Sequence, residues 1–219
     1  MHNVELVHVT PDAESLIAYM ARVSNPNNQD NPDCIKLIKY LIKHNHWSPF
    51  EMVNMCVQID TTRSVASQIL RHRSFSFQEF SQRYAEPSAM GDAFTIRECR
   101  LQDTKNRQNS IEIENDPSIQ ESVKMQELIT DWQRRQHGVI NQAKQAYQWA
   151  IDNGIAKEQA RAVLPEGLTK TRLYMNGTLR SWVHYIELRS ENGTQKEHME
   201  VAQKCALEIA KIFPLIKSL

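Results

Sequence analysis

The chain has 219 residues, with 26 basic and 26 acidic side chains and a formal charge of zero. That length fits one large domain or two small ones with a sizeable core. The charge balance argues against nucleic acid as the main partner, because binding a phosphate backbone needs a basic face.

Four scattered cysteines, Cys34, Cys56, Cys99 and Cys205, form no CxxC pair. They read as reduced thiols, neither a disulfide framework nor a zinc site. No apolar run approaches membrane-spanning length, and MHNVELVHVT lacks a signal-peptide layout. The expectations are therefore no membrane partner and a cytoplasmic location.

Alternation over Val4–Val9 predicts a short strand. Thr10 and Pro11 then suit the N-cap and first position of a helix with Leu16, Ile17, Met20 and Val23 along one stripe. After the polar SNPNNQDNP loop, a second helix carries Ile35, Leu37, Ile38, Leu41 and Ile42. His46–Glu51 is a connector, since Pro49 disfavours helix before it. Val53, Met55, Val57 and Ile59 fall on every second position, which predicts a strand with one buried face. Thr61 and Thr62 can cap a helix running to about Arg71, with Gln68 and His72 four apart on one face.

The polar stretch 88–116 is loop-rich and supports no element assignment. Ser118–Asp152 predicts the longest helix, with Met125, Ile129, Trp132, Val139, Ala143, Ala146 and Ala150 as its buried stripe. Asn153-Gly154 ends it. A short helix over Ile155–Val163 stops before Pro165, and Leu173 and Met175 suit a brief strand. Thr178–Arg189 predicts a helix with Leu179, Trp182, Val183 and Ile186 inward. A final helix opens with a Thr194/Glu197 capping box and carries Val201, Cys205, Leu207 or Ile209, and Ile212. The fold class is α+β: a mostly helical single domain, 1–219, with a small central sheet.

The stretch RHRSFSFQEFSQRY, residues 71–84, crowds Arg71, His72 and Arg73 together. Neighbouring cations repel and resist burial, so the crowding makes sense around an anion. Phe75, Phe77, Phe80 and Tyr84 suggest partial enclosure. Read as extended chain, Glu79, Ser81 and Arg83 share one side. A hydroxyl and a guanidinium there suit a phosphate monoester. Glu79 could orient Arg83 or accept from a sugar hydroxyl. The bland reading of Arg71 and His72 is charge favouring the end of a helix dipole.

Arg161 and Arg189 lie near predicted helix ends. Either is an exposed arginine, Arg189 pairing with Glu187 or Glu191, or it stabilises charge developing on a ring. The histidines show no ligand spacing within a helix, so no metal is expected. No GxGxxG or GxxxxGK[ST] run is present, and no cysteine has the setting of an activated nucleophile.

RHR, seven intervening residues, then Ser resembles the hallmark of the flavin-dependent thymidylate synthases (the ThyX family). Glu79, Arg83 and Tyr84 also stand in that family's places. HWSPFE at 46–51, the ARAVLP segment around Arg161 and Leu188-Arg189 extend the resemblance over nearly the whole chain. Its wording is most similar to viral members, which would make the location the host cytoplasm.

The resemblance implies a ThyX-like α+β fold, a homotetramer with active sites between subunits, and methylation of dUMP at C5. Methylenetetrahydrofolate would supply the carbon, and FAD reduced by NADPH the hydride. It implies FAD contacts by His46, Ser48, Arg71, His72, Arg73, Glu79, Thr178, Leu179, Arg180 and His184. It implies dUMP contacts by Gln68, Arg71, Glu79, Ser81, Gln82, Arg83, Arg161 and Arg189, with Arg189 catalytic. Departures from the family pattern are His184 for a frequent asparagine, Gly193 for histidine and Gln78 for asparagine. Two other classes compete: a regulatory protein that holds a mononucleotide without chemistry, and an RNA-binding module, which zero net charge disfavours.

Overall fold

The computed structural model describes residues 2–113, 123–191 and 193–214. In chain order the elements are β1 (Asn3–Val9), α1 (Ala13–Ala21), α2 (Ile35–Lys43), β2 (Asn54–Thr62), α3 (Arg63–Ile69) and β3 (Phe75–Glu79). There follow β4 (Arg100–Gln102), β5 (Ser110–Glu112), α4 (Val123–Asp152), α5 (Lys157–Ala160), β6 (Lys170–Thr178), α6 (Leu179–Ser190) and α7 (Lys196–Ile212). One antiparallel sheet has the order β1-β2-β6-β3, and β4 and β5 form a separate hairpin.

The centre of the sheet follows from alternation. Met55, Val57 and Ile59 of β2 are buried and sit opposite Gly177, Met175 and Leu173 of β6. Ile17, Ile38, Phe50, Ile69, Trp182, Tyr185, Val201, Cys205 and Ile209 complete the main core with this face. Burial of such side chains is the dominant stabilising term. The Trp182 indole N–H donates to the Met55 carbonyl at 3.1 Å, so the largest core side chain also leaves no buried donor unpaired.

Gly177 is required by a close approach. A Cβ there would stand 2.4 Å from the ring of Phe75, its partner across β3 and β6. That ring is held edge-on to Trp182 with centroids 4.8 Å apart. Gly177→Ala should therefore destabilise the fold by about 1–3 kcal/mol. A urea titration would show this as a lower midpoint with unchanged slope; an unchanged midpoint would mean that Phe75 moves aside freely.

Several expectations change. The strand around Leu173 and Met175 is a nine-residue central strand, because Thr171 and Gly177 continue its buried face. α1 begins at Ala13, not at Pro11, and no side chain caps it. The Thr10 hydroxyl instead accepts from the Asn54 amide at 2.9 Å. Val23 lies beyond the helix and is exposed. α3 ends at Ile69, before Arg71. The Thr62 hydroxyl makes no capping bond; it accepts from Arg97 Nη2 at 2.5 Å.

On α4 the buried residues are Gln136, Ile140, Ala143, Tyr147 and Ala150. Trp132 and Val139, expected inward, are exposed, as is Ala146. The helix packs against two small satellite clusters, and its second apolar face is left uncovered. The predicted start at Ser118 lies outside the described residues. The Thr194/Glu197 capping box does not form: α7 starts at Lys196, and Glu197 turns to arginines. Ile209, not Leu207, continues its stripe.

Candidate active site

Gln68 sits in the last turn of α3, after which the chain reverses over Arg71–Ser74 into β3. The His72 amide bonds the Ile69 carbonyl at 3.1 Å, and the Phe75 amide bonds the His72 carbonyl at 3.4 Å. This turn points His72 inward and leaves Arg71 and Arg73 exposed.

From the last turn of α6, Arg189 Nε donates to His72 Nε2 at 2.9 Å. A guanidinium only donates, so His72 is neutral here with its proton on Nδ1. Burial, then the Arg189 charge, lowers the His72 pKa and holds that state. Arg189 thus pairs with neither Glu187 nor Glu191. The bond uses Nε, leaving the two terminal nitrogens as a planar fork for a ring carbonyl or anion.

A second group forms where α2 meets β2. Asn45, at φ 56, stops α2, and the His46 amide bonds the Leu41 carbonyl at 2.8 Å. Pro49 then starts a single 3-10 turn over Ser48–Met52. His46, Trp47, Ser48 and Arg180 line a concavity of about 460 Å³. Arg180 pairs with Glu51, and His184, one turn along α6, lies edge-on to Trp47 at 5.2 Å. The Thr178 hydroxyl caps α6 by accepting from the Ser181 amide at 3.2 Å. The Leu179 side chain faces the core.

A third group lies beyond β3. The expected extended run through Ser81 and Arg83 is not present. β3 ends at Glu79, and the Ser81 carbonyl accepts from the amides of Tyr84 and Ala85, each at 3.1 Å. Glu79 does not orient Arg83; it accepts from Thr171 Oγ1 at 2.9 Å and Arg63 Nη1 at 3.3 Å. Arg83 pairs with Glu158 of α5 at 3.3 Å on the open surface, an interaction worth little energetically. Arg161 Nε donates to the Glu158 carbonyl at 3.3 Å. Ser81, Arg83 and Arg161 therefore share one neighbourhood. Beside them in sequence, Gln82 is buried and its Nε2 has no hydrogen-bond partner. Tyr84 is 83% exposed and encloses nothing.

The stretch left unassigned at 88–116 supplies a charged cluster. Glu197 Oε1 receives Arg100 Nη2 at 2.7 Å and lies 3.4 Å from Arg97 Nη1. Lys196 bridges Glu98 at 2.9 Å and Glu112 at 2.8 Å. The alternating charges of Arg97, Glu98 and Arg100 were its legible signal, an extended run with charged faces. A concavity of about 430 Å³ between α4 and residues 86–94 contains none of the predicted site residues. Among the described residues no group of three His, Cys, Asp or Glu is placed to hold a metal, and no helix is long and apolar enough to cross a membrane.

The profile of the family described as "Thymidylate synthase complementing protein" matches residues 5–215. A "Probable flavin-dependent thymidylate synthase" of Paramecium bursaria Chlorella virus 1 is 47% identical over 205 residues, covering 93% of this chain and 88% of the relative. A "Flavin-dependent thymidylate synthase" of Synechocystis is 48% identical over 204 residues, covering 93% and 87%. Among solved structures, a UMP/dUMP methylase, PolB, from Streptomyces cacaoi bound with 5-Br dUMP superposes with a TM-score of 0.81 at 27% identity. The match spans 100% of this chain and 93% of that one.

Proposed function

Because the chain belongs to the family of the flavin-dependent thymidylate synthases, we propose that it converts dUMP to dTMP as a single catalytic domain in the cytoplasm. In the balanced reaction, dUMP loses the C5 proton and gains a one-carbon unit from methylenetetrahydrofolate, whose two nitrogens regain hydrogen from that proton and one further proton from solvent. NADPH would be the source of the hydride that completes the methyl group, with a flavin held by the site as its carrier. Tetrahydrofolate and NADP⁺ leave.

The observation that carries this reading is Arg189 held by neutral His72 beside the exposed Arg71 and Arg73. A guanidinium aimed at a uracil oxygen would stabilise the anionic form of the ring, in which C5 is the better nucleophile. No cysteine nucleophile is needed. Burial raises the thiols of Cys56, Cys99 and Cys205 above their usual range, which disfavours a reactive thiolate.

The residues present fit a flavin nucleotide. His46, Trp47, Ser48 and Arg180 join an aromatic wall, a hydroxyl and a guanidinium around one concavity. Arg71 and Arg73 add exposed cations for phosphates. FAD bound there would supply hydride-transfer chemistry. The Thr178 hydroxyl and Leu179 side chain are already committed to α6 and the core, so they would support the site through the backbone. Glu79 would do so through Arg63 and Thr171.

Ser81, Arg83 and Arg161 would hold the substrate phosphate, with the unpartnered Gln82 amide close in sequence. They lie at the far end of β3 from Arg71–Arg73, and that strand alone spans about 13 Å. A mononucleotide bridging both groups within one chain would be stretched. A site assembled from two copies of the chain relieves this and supports a homotetramer with sites between subunits. Leu128, Trp132, Val139 and Trp149 on the open face of α4 suit such packing.

Ser81→Ala should raise the KM for dUMP by roughly tenfold with little change in kcat, by loss of one charge-assisted hydrogen bond. A large fall in kcat at saturating dUMP with KM unchanged would overturn that role. The first test of the function is the visible spectrum of purified protein after incubation with FAD and passage over a sizing column. Retained flavin bands that shift on adding dUMP support the synthase. Binding of dUMP without any flavin favours a nucleotide binder that does no chemistry.

A further inference from the structure

A line of side chains runs from the charged cluster to Gln68. Glu197 Oε2 is 2.7 Å from Gln195 Nε2, and Gln195 Oε1 is 2.7 Å from Gln68 Nε2. Gln68 Oε1 is 3.3 Å from His198 Nδ1, and His198 Nε2 is 3.1 Å from the Tyr185 hydroxyl. His198 is fully buried on α7, and Tyr185 is buried one turn before Arg189 on α6. His72 meets Tyr185 edge-on, with centroids 4.9 Å apart.

Each amide and imidazole in this line could in principle be reversed, exchanging donor for acceptor. One end forbids it. Glu197 is flanked by Arg100 and Arg97; an ionised carboxylate only accepts, so Gln195 must donate to it with Nε2. The Gln195 oxygen then faces Gln68, which must donate with its own Nε2. The Gln68 oxygen therefore faces His198, which must carry its proton on Nδ1. His198 Nε2 is left as an acceptor, and the Tyr185 hydroxyl donates to it. Reversing any member sets two acceptors or two donors against each other in the line.

We infer that Glu197, acting through Gln195, is a positioning residue that sets the orientation of the Gln68 amide and, with it, the donor–acceptor pattern offered to the pyrimidine ring. This rests on the reading above, in which Gln68 contacts dUMP. One hydrogen on Gln68 Nε2 and one lone pair on Oε1 stay available, each on a fixed side. A pyrimidine edge carries donors and acceptors in fixed places, so a reversed amide would meet it with the wrong groups. Gln195 is exposed, so the line can be cut there without opening the core or unpairing Arg97 and Arg100.

The test uses full-length protein labelled with ¹⁵N-histidine, together with dUMP titration by calorimetry and steady-state kinetics. In the parent protein, His198 should show the Nδ1–H tautomer. In Gln195→Met and in Glu197→Gln it should become a mixture of tautomers. The dUMP Kd and KM should rise at least tenfold in Gln195→Met, with kcat within about twofold. A merely structural role would lower kcat through loss of folded protein and leave the KM and the tautomer alone.

An Nε2–H tautomer in the parent overturns the inference. So does a Gln195→Met protein that binds dUMP as the parent does. Should Glu197→Gln fail to fold, the Gln195→Met result decides. A parent protein with the Nδ1–H tautomer that does not bind dUMP at all would overturn the synthase reading instead.

Discussion

Arg189→Ala is expected to lower dTMP formation by at least about 100-fold at saturating dUMP, the usual scale for losing a donor that stabilises developing charge. The protein should remain folded, because Arg189 is half-buried at a helix end and its bond goes to a neutral imidazole. Removing it leaves His72 Nε2 without a donor, a cost well short of that for an unpaired buried charge. The check is single-turnover dTMP formation together with circular dichroism and flavin retention. Arg189→Lys should not restore the rate, because an ammonium cannot supply both the His72 bond and a planar fork. Activity within tenfold of the parent would remove Arg189 from the catalytic role.

The second large effect is on stability in mild acid. His198 is fully buried, and burial, followed by the Arg189 charge, lowers its pKa to about 3. His2 is buried at the start of the sheet with Nδ1 2.9 Å from the Thr61 hydroxyl. Burial, then Arg97, lowers its pKa to about 4. Both folded values lie below the ordinary 6.5, so the fold binds the neutral forms and the unfolded chain takes up the protons.

Their contribution is complete above about pH 6.5 and is lost as the pH falls towards the folded values. At pH 5 each should cost roughly 2 kcal/mol relative to pH 8. His72, lowered by burial and Arg189, acts in the same direction. Urea unfolding at the two pH values measures the decline. His198→Gln and His2→Gln should each remove about half of the two-histidine part. A decline that neither variant alters would show that these imidazoles do not govern it.

Much of this was legible in local spacing. The alternation of Val53, Met55, Val57 and Ile59 marks a central strand because strand side chains repeat every second residue. Trp182 and Val183 mark the inner face of α6 for the analogous helical reason. Where spacing misled, a nonlocal partner had taken over. Glu197 has the position of a capping-box acid but is drawn to Arg100, whose charge attracts a carboxylate more strongly than a backbone amide does. Trp132 and Val139 keep helical spacing, yet the hydrophobic pattern shows that a face is apolar without showing what covers it. The run from Glu79 to Arg83 alternates in type, but β3 leaves the sheet opposite Leu173, although β6 continues to Lys170, and the chain turns at Ser81.

The sequence by itself determined the family, the α+β class and the residue types of the chemistry, because motifs such as RHR with Ser81 are patterns of spacing along the chain. Only the tertiary structure decided which partner each charged or amide group takes. Arg189 meets His72 across 117 residues, and Gln68 meets His198 across 130. Hydrogen-bond polarity and burial are set by neighbours in space. A carboxylate between two arginines can fix the orientation of an amide that lies more than a hundred residues away in the chain.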